Sequence, residues 1–183
     1  MIDKANFYKV LKQRFGKFTN KQFGGFEAIL NHWGTRNDDV RKLAYILATV
    51  WHETDTTMQP IAEYGKGRSK QYGKPHSNGK VYYGRGHTQN TWFENYTKLT
   101  KAAKLKGFDW DFVNHPDLLL TMQPSVWATF YAMETGLYTG KKLEDYFNIK
   151  KGDPVNARRI INGTDKAKLI ESYYNKFLWC LTP

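Results

Sequence analysis

The stretch DVRKLAYILATVWHET, residues 39 to 54, carries the strongest periodic pattern in the chain. Stepped at 100° per residue, Val40, Leu43, Leu47, Val50, Trp51 and Thr54 fall on one face, which predicts a core helix. The helix runs out on a His-Glu pair. Glu53 lies beside Ile46 at the flank of the apolar stripe, partly out of water, and near a helix C-terminus, where the macrodipole is negative. Both effects disfavour a charged carboxylate and suit a side chain that keeps a proton to donate. The plainer alternative is a surface glutamate closing an amphipathic helix. A zinc-protease motif would need a second histidine one turn after His52. Position 56 is threonine, and His32, His76, His87 and His115 match no common ligand spacing, so neither a metal nor any other cofactor is expected.

Downstream, MQPIAEYG brings a second carboxylate, Glu63, after Pro60, a residue expected to end the helix. A turn there can carry Glu63 back across a cleft from Glu53. Two carboxylates facing a cleft suit acid and base roles in glycoside hydrolysis. Asp55 stands as the second choice of base.

Working outward, residues 3 to 15 read as a helix, with Asp3 as its cap and Phe7, Val10, Leu11 and Phe15 on one face. Thr19 can cap a helix presenting Phe23, Phe26, Leu30 and Trp33, although Gly24 and Gly25 weaken it, and Gly34 is its stop. Residues 64 to 87 lose all periodicity and hold six glycines and Pro75, as a long loop or short hairpin would. A loop of that length in a compact domain is functional or disordered. Helical patterns resume at 88 to 105, 124 to 137, 142 to 148, 154 to 162 and 165 to 181, with Pro124 and Pro154 suited to first turns. The expected architecture is mainly α. With no internal repeat and no dividing linker, a single domain over residues 1 to 183 is expected.

Composition narrows the classes. Of 183 residues, 40% are hydrophobic and 16% aromatic, which excludes a disordered or collagen-like chain. The 28 Lys and Arg against 17 Asp and Glu give a net charge of +11, which favours approach to a polyanion: nucleic acid, anionic lipid or bacterial cell wall. The one cysteine, Cys180, allows no intrachain disulfide and reads as core filler in NKFLWCL. The opening MIDKANFYKVLKQRFGK lacks the apolar run of a secretory leader, and nowhere do ~18 apolar residues follow one another. Neither a leader nor a membrane span is expected.

Three segments in order, LAYILATVWHETDTTMQPIAE, YYGRGHTQNTWFENY and ARRIINGTDKAKLIESY, resemble glycoside hydrolase family 19 across about residues 24 to 178. Within it the chain looks more like phage-type endolysins than plant chitinases. The most specific element is the His-Glu-Thr helix end combined with Tyr-Tyr-Gly-Arg-Gly-x-x-Gln. The resemblance implies a lysozyme-like α-helical domain with the Gly-rich loop beside its cleft. It also implies that Glu53 is the general acid and Glu63 the general base. Thr91 then matches the residue that helps hold the attacking water, and Asn95 and Asn162 match sugar-binding asparagines. His52, Tyr82, Tyr83, Arg85 and Gln89 join the substrate-binding set, the last four as a cleft-lining segment. The implied chemistry is inverting, with the carboxyl groups ~6.5 to 9.5 Å apart. One departure is His87-Thr88-Gln89-Asn90, which makes polar a spot that is apolar in the family's usual Pro-Ile-Gln-Leu. The chain also lacks the cysteine pairs of plant chitinases.

The segment YGKGRSKQYGKPHSNGKVYYGRGH holds six Lys or Arg and no acid, either a solvated loop or a basic rim to the cleft. Peptidoglycan carries stem-peptide carboxylates and chitin is neutral, so the charge steers toward peptidoglycan. The expected protein is a monomeric lysin that stays in the host cytoplasm until lysis and then acts on the cell wall. A chitinase is the close alternative. A nucleic-acid-binding domain is a more distant one, disfavoured because the basic residues are dispersed over several helices. An amidase or peptidase would in most designs need a metal site, for which the ligand motifs are missing.

Overall fold

A computed structural model describes residues 2 to 182. Among them are six α-helices: α1 (Lys4–Phe15), α2 (Asn20–Trp33), α3 (Val40–Glu53), α4 (Phe93–Leu105), α5 (Met122–Thr135) and α6 (Ala167–Leu181). Two small antiparallel pairs complete the regular structure: β1 (Ile61–Ala62) with β2 (Arg85–Gly86), and β3 (Phe147–Asn148) with β4 (Lys151–Gly152). The mainly α expectation holds.

The first helices start where their capping chemistry places them. The Asp3 side chain accepts from the Asn6 amide at 3.0 Å. Thr19 and Gln22 form a reciprocal capping box ahead of α2. Helix α3 is more deeply placed than an amphipathic face requires, since every residue from Leu43 to Trp51 is buried. A helix apolar nearly all round is the central one, and α6, α5 and α2 pack about it. Its cluster includes Phe7, Phe26, Leu47, Phe130, Phe147 and Phe177. A second cluster gathers Tyr82, Tyr96, Leu99, Phe112 and Trp127. Helix α5 joins the two, with Phe130 and Met133 in the first and Trp127 and Ala128 in the second. Among the described residues, no helix is long and apolar enough to cross a membrane.

Several boundaries differ from the periodic reading. Helix α3 ends at Glu53, well before Pro60, because Asp55, Thr56 and Met58 all take positive φ, a region that L residues rarely adopt. Thr54 fixes this turn: its hydroxyl donates to the Val50 carbonyl at 2.7 Å and accepts from the Met58 amide at 3.0 Å. Residues 88 to 92 are not helical, since Gln89 and Trp92 also have positive φ and Asn90 bridges back to Arg85. The segments read as helices at 142 to 148 and 154 to 162 are 3₁₀ turns, Leu143–Asp145 and Asn156–Ile160, the first followed by β3. Apolar residues at three-residue spacing suit either helix type, and short length favours the tighter one. The Gly-rich segment is both a loop and a hairpin, because β1 and β2 pair across it.

Candidate active site

The turn after α3 and the β1–β2 pair place the two carboxylates in one cleft. A cavity of about 560 Å³ is lined by His52, Glu53, Asp55, Glu63, Tyr64 and Gln89, among others. An adjoining cavity of about 340 Å³ shares Glu53 and Gln89 and adds Tyr72, Thr88, Thr91, Trp92, Asn95, Tyr138, Arg158 and Asn162. Glu53, Glu63, Thr91, His52, Gln89, Asn95 and Asn162 are thus brought together from four separate parts of the chain.

Glu53 is not the lone desolvated carboxyl that its helix position suggests. Arg158, from the Asn156–Ile160 turn, donates Nη1–H to Glu53 Oε1 at 2.5 Å, with the Arg side chain 5% and the Glu side chain 15% exposed. The Arg158 Nε–H donates to the Asp165 carbonyl at 3.0 Å, which locks the guanidinium plane. The Glu53 carboxyl group thus has a fixed cation as its partner. Beside it, burial holds the His52 imidazole below its ordinary value, with Arg158 acting in the same direction and Glu53 against it. His52 is accordingly a neutral neighbour at neutral pH.

Glu63 sits at the mouth of the β1–β2 pair. Its amide donates to the Gly84 carbonyl at 2.7 Å, and the Gly84 amide donates to Glu63 Oε2 at 3.1 Å. The Tyr72 hydroxyl donates to Oε1 at 2.8 Å. Gly84 is where the site draws tight: a Cβ there would meet Gln89 Oε1 at 3.0 Å and both Glu63 Cβ and Thr91 Oγ1 at 3.3 Å. A side chain there would have to push these three groups back by a few tenths of an ångström. Thr91 donates its hydroxyl to the Gln89 carbonyl at 2.8 Å, and Asn95 donates Nδ2–H to the Thr91 carbonyl at 2.9 Å. The Gln89 amide ties the strand pair together, donating to the Ile61 and Gly86 carbonyls at 3.1 and 3.0 Å. Asp55 is exposed on the cavity rim.

Tyr82 and Arg85 are buried and line neither cavity, which corrects the cleft-lining expectation for them, and the half-buried Tyr83 lines neither cavity. Tyr82 is 2% exposed inside the second cluster, its hydroxyl donating to the Val113 carbonyl at 3.0 Å. Arg85 is buried and paired with Asp117 at 2.7 Å, and its guanidinium lies 3.5 Å from the centre of the Tyr83 ring. A buried guanidinium must satisfy its donors within the protein, and here it braces the loop that carries Gly84. Of the six basic residues in this segment, Lys66, Arg68, Lys70, Lys74 and Lys80 are exposed and Arg85 is not.

The residues missed by sequence reasoning are Arg158, Tyr72, Trp92, Thr88 and Tyr138. Arg158 had no local signal, since nothing in ARRII separates it from Arg159. Tyr138, hydrogen-bonded to Thr88 at 2.8 Å, is held well above the ordinary tyrosine range mainly by burial. Nothing in the local pattern marks Tyr72 or Trp92. Among the described residues, no group of three or more His, Cys, Asp or Glu is placed to hold a metal ion.

Comparison with known proteins gives a fold. No protein-family model and no curated sequence matches the chain. Among solved structures, a bacterial family 19 chitinase superposes with a TM-score of 0.57 at 22% identity, over 99% of this chain and 95% of that one. Chitinase C from Streptomyces griseus gives 0.56 at 18%, over 98% and 76%. A class IV family 19 chitinase from Zea mays gives 0.56 at 19%, over 96% and 90%. The chain has the fold of family 19 chitinases.

Proposed function

We propose that the protein is a glycoside hydrolase that cleaves β-1,4 bonds of bacterial peptidoglycan with inversion, as a phage-type endolysin. The observation that carries the reading is the placement of Glu53 and Glu63 in one cleft, each held by its own donors. Glu53 protonates the glycosidic oxygen of the departing sugar. Glu63 takes a proton from a water that attacks the anomeric carbon from the opposite face. Thr91, packed against Gly84 beside Glu63, is positioned to help hold that water. Arg158 fixes the Glu53 carboxyl group and balances the charge left on it once its proton has gone.

The polymer is assigned from charge. A chain of net charge +11 with five exposed cations on the loop above Glu63 is drawn to a wall that bears carboxylates. A chitinase on the same machinery is the second reading, favoured by the solved structures whose fold the chain shares. On the endolysin reading the protein acts on the wall as a monomer, after release from the host cytoplasm.

The test compares wild type, Glu53→Gln and Glu63→Gln for release of reducing ends from purified peptidoglycan and from chitin oligomers. Each variant is expected to lose ~10² to 10⁴ in rate on the preferred polymer. Near-normal rates for Glu53→Gln would remove the acid assignment. Faster turnover of chitin would overturn the choice of polymer.

A further inference from the structure

Glu63 receives hydrogen bonds from two directions. One comes from the Gly84 amide and the other from Tyr72, a half-buried side chain in the middle of the Gly-rich segment. The segment is built to deliver that tyrosine. Gly67 and Gly73 meet backbone to backbone, so that a Cβ on Gly73 would lie 1.9 Å from the Gly67 carbonyl oxygen. A Cβ on Gly67 would lie 3.0 Å from the Tyr72 ring. The short 3₁₀ turn Gln71–Gly73 can therefore fold flat against residue 67 only with glycine at both places.

The ring also meets Trp92. That residue adopts φ of +75°, a strained conformation for a bulky side chain, and remains 46% exposed in the cavity that also holds Glu53 and Thr91. Its indole meets the Tyr72 ring edge to face, with centroids 5.2 Å apart. Burial and the adjacent Glu63 carboxylate raise Tyr72 above the ordinary tyrosine range, so it remains a hydroxyl donor at any working pH.

We infer that Tyr72 is a positioning residue of the hydrolysis, its hydroxyl fixing the Glu63 carboxylate at the angle needed to take a proton from water, with Trp92 bracing its ring. The inference rests on the base role of Glu63 proposed above. The terminal torsion of glutamate is broad. With the Gly84 amide alone, the carboxylate can swing about that torsion. A misplacement of about 1 Å at a catalytic group can cost on the order of 10²-fold in rate.

The test measures kcat, KM and melting temperature for wild type, Tyr72→Phe, Glu63→Ala and the double variant on a soluble peptidoglycan or chitin oligomer, whichever polymer is turned over. Tyr72→Phe keeps the ring against Trp92 and removes only the hydroxyl. It is expected to lower kcat about 10- to 100-fold, the range for a hydrogen bond to a charged group, with KM and melting temperature unchanged. In the Glu63→Ala background the same change should alter the rate by less than roughly twofold, since Tyr72 acts only through Glu63. Multiplying losses would overturn the proposal. So would a Tyr72→Phe whose kcat per folded molecule equals that of wild type, whatever its melting temperature. A Glu63→Ala that retains near-normal activity would instead defeat the base assignment itself.

Discussion

Asn90 is the least satisfied side chain beside the cleft. It is 1% exposed, and neither Oδ1 nor Nδ2 has a hydrogen-bond partner among the described residues. Orphaned polar atoms cost free energy that an apolar side chain of similar size does not. Asn90→Leu is expected to raise stability by about 1 to 3 kcal/mol in denaturant unfolding, and a destabilised variant would mean that the site is too tight for the branched chain. The opposite case is Arg158. Replacing it with Leu leaves the mostly buried Glu53 carboxyl group without its donor and should cost about 1 to 3 kcal/mol. Adding Glu53→Leu to Arg158→Leu should recover part of that loss, because no orphaned polar group is then left. Additive losses in the double variant would show that the two side chains are not coupled. The polar character of Asn90 was legible from its neighbours in the chain, whereas the Glu53–Arg158 pair spans more than a hundred residues and belongs to the tertiary structure.

At the scale of elements, two adjacent glycines of α2 make opposite predictions. The wall of α2 beside Gly24 is open, with nothing within 4 Å of a Cβ, whereas a Cβ on Gly25 would lie 2.0 Å from the Met58 carbonyl oxygen. Gly24→Ala should therefore stabilise the protein by roughly 1 kcal/mol through helix propensity. Gly25→Ala should destabilise it by about 3 kcal/mol, since the strained turn carrying Met58 must move. Thermal unfolding of the two variants checks both signs, and equal shifts would refute the contact. In sequence the pair only weakens a helix, since nothing local tells which glycine faces another segment. The same limit explains residues 88 to 92 and 142 to 148, which read as parts of helices in the sequence, while a β-bridge with positive φ decides the first and a 3₁₀ turn with the β3–β4 pair the second.

For the whole molecule two histidines, one buried and one half-buried, set a pH limit. His87 is fully buried between Ser125 and the Met58 carbonyl, and burial pushes its pKa from the ordinary 6.5 down to about 4. His32 is lowered to about 4 as well, by burial and then by the nearby Arg36. Above pH 6.5 each is neutral in both folded and unfolded chains and adds no slope. Between 6.5 and about 4 the unfolded chain binds the proton and the folded one does not, so stability falls as pH falls, then levels. For His87 the full loss is on the order of 3 kcal/mol. Denaturant unfolding at pH 7 and pH 4.5 should show this decline, and His87→Gln should shrink it. A decline of the same size in that variant would assign it to other groups.

What the sequence determined by itself was the set of parts it could encode locally. Caps at Asp3 and Thr19, the apolar run of α3, and glycines that forbid a helix between 64 and 87 are properties of neighbours within a turn or two. The ordered motifs around Glu53, Glu63 and Asn95 also lie within short windows. Which of these parts share a cleft was decided by the tertiary structure. Tyr72 reaches Glu63 through a glycine-to-glycine contact, Arg158 reaches Glu53 from the far end of the chain, and Tyr82 and Arg85 turn inward to brace the loop. Those outcomes depend on packing and on where buried charges find partners, and both are settled by contacts between segments far apart in the chain.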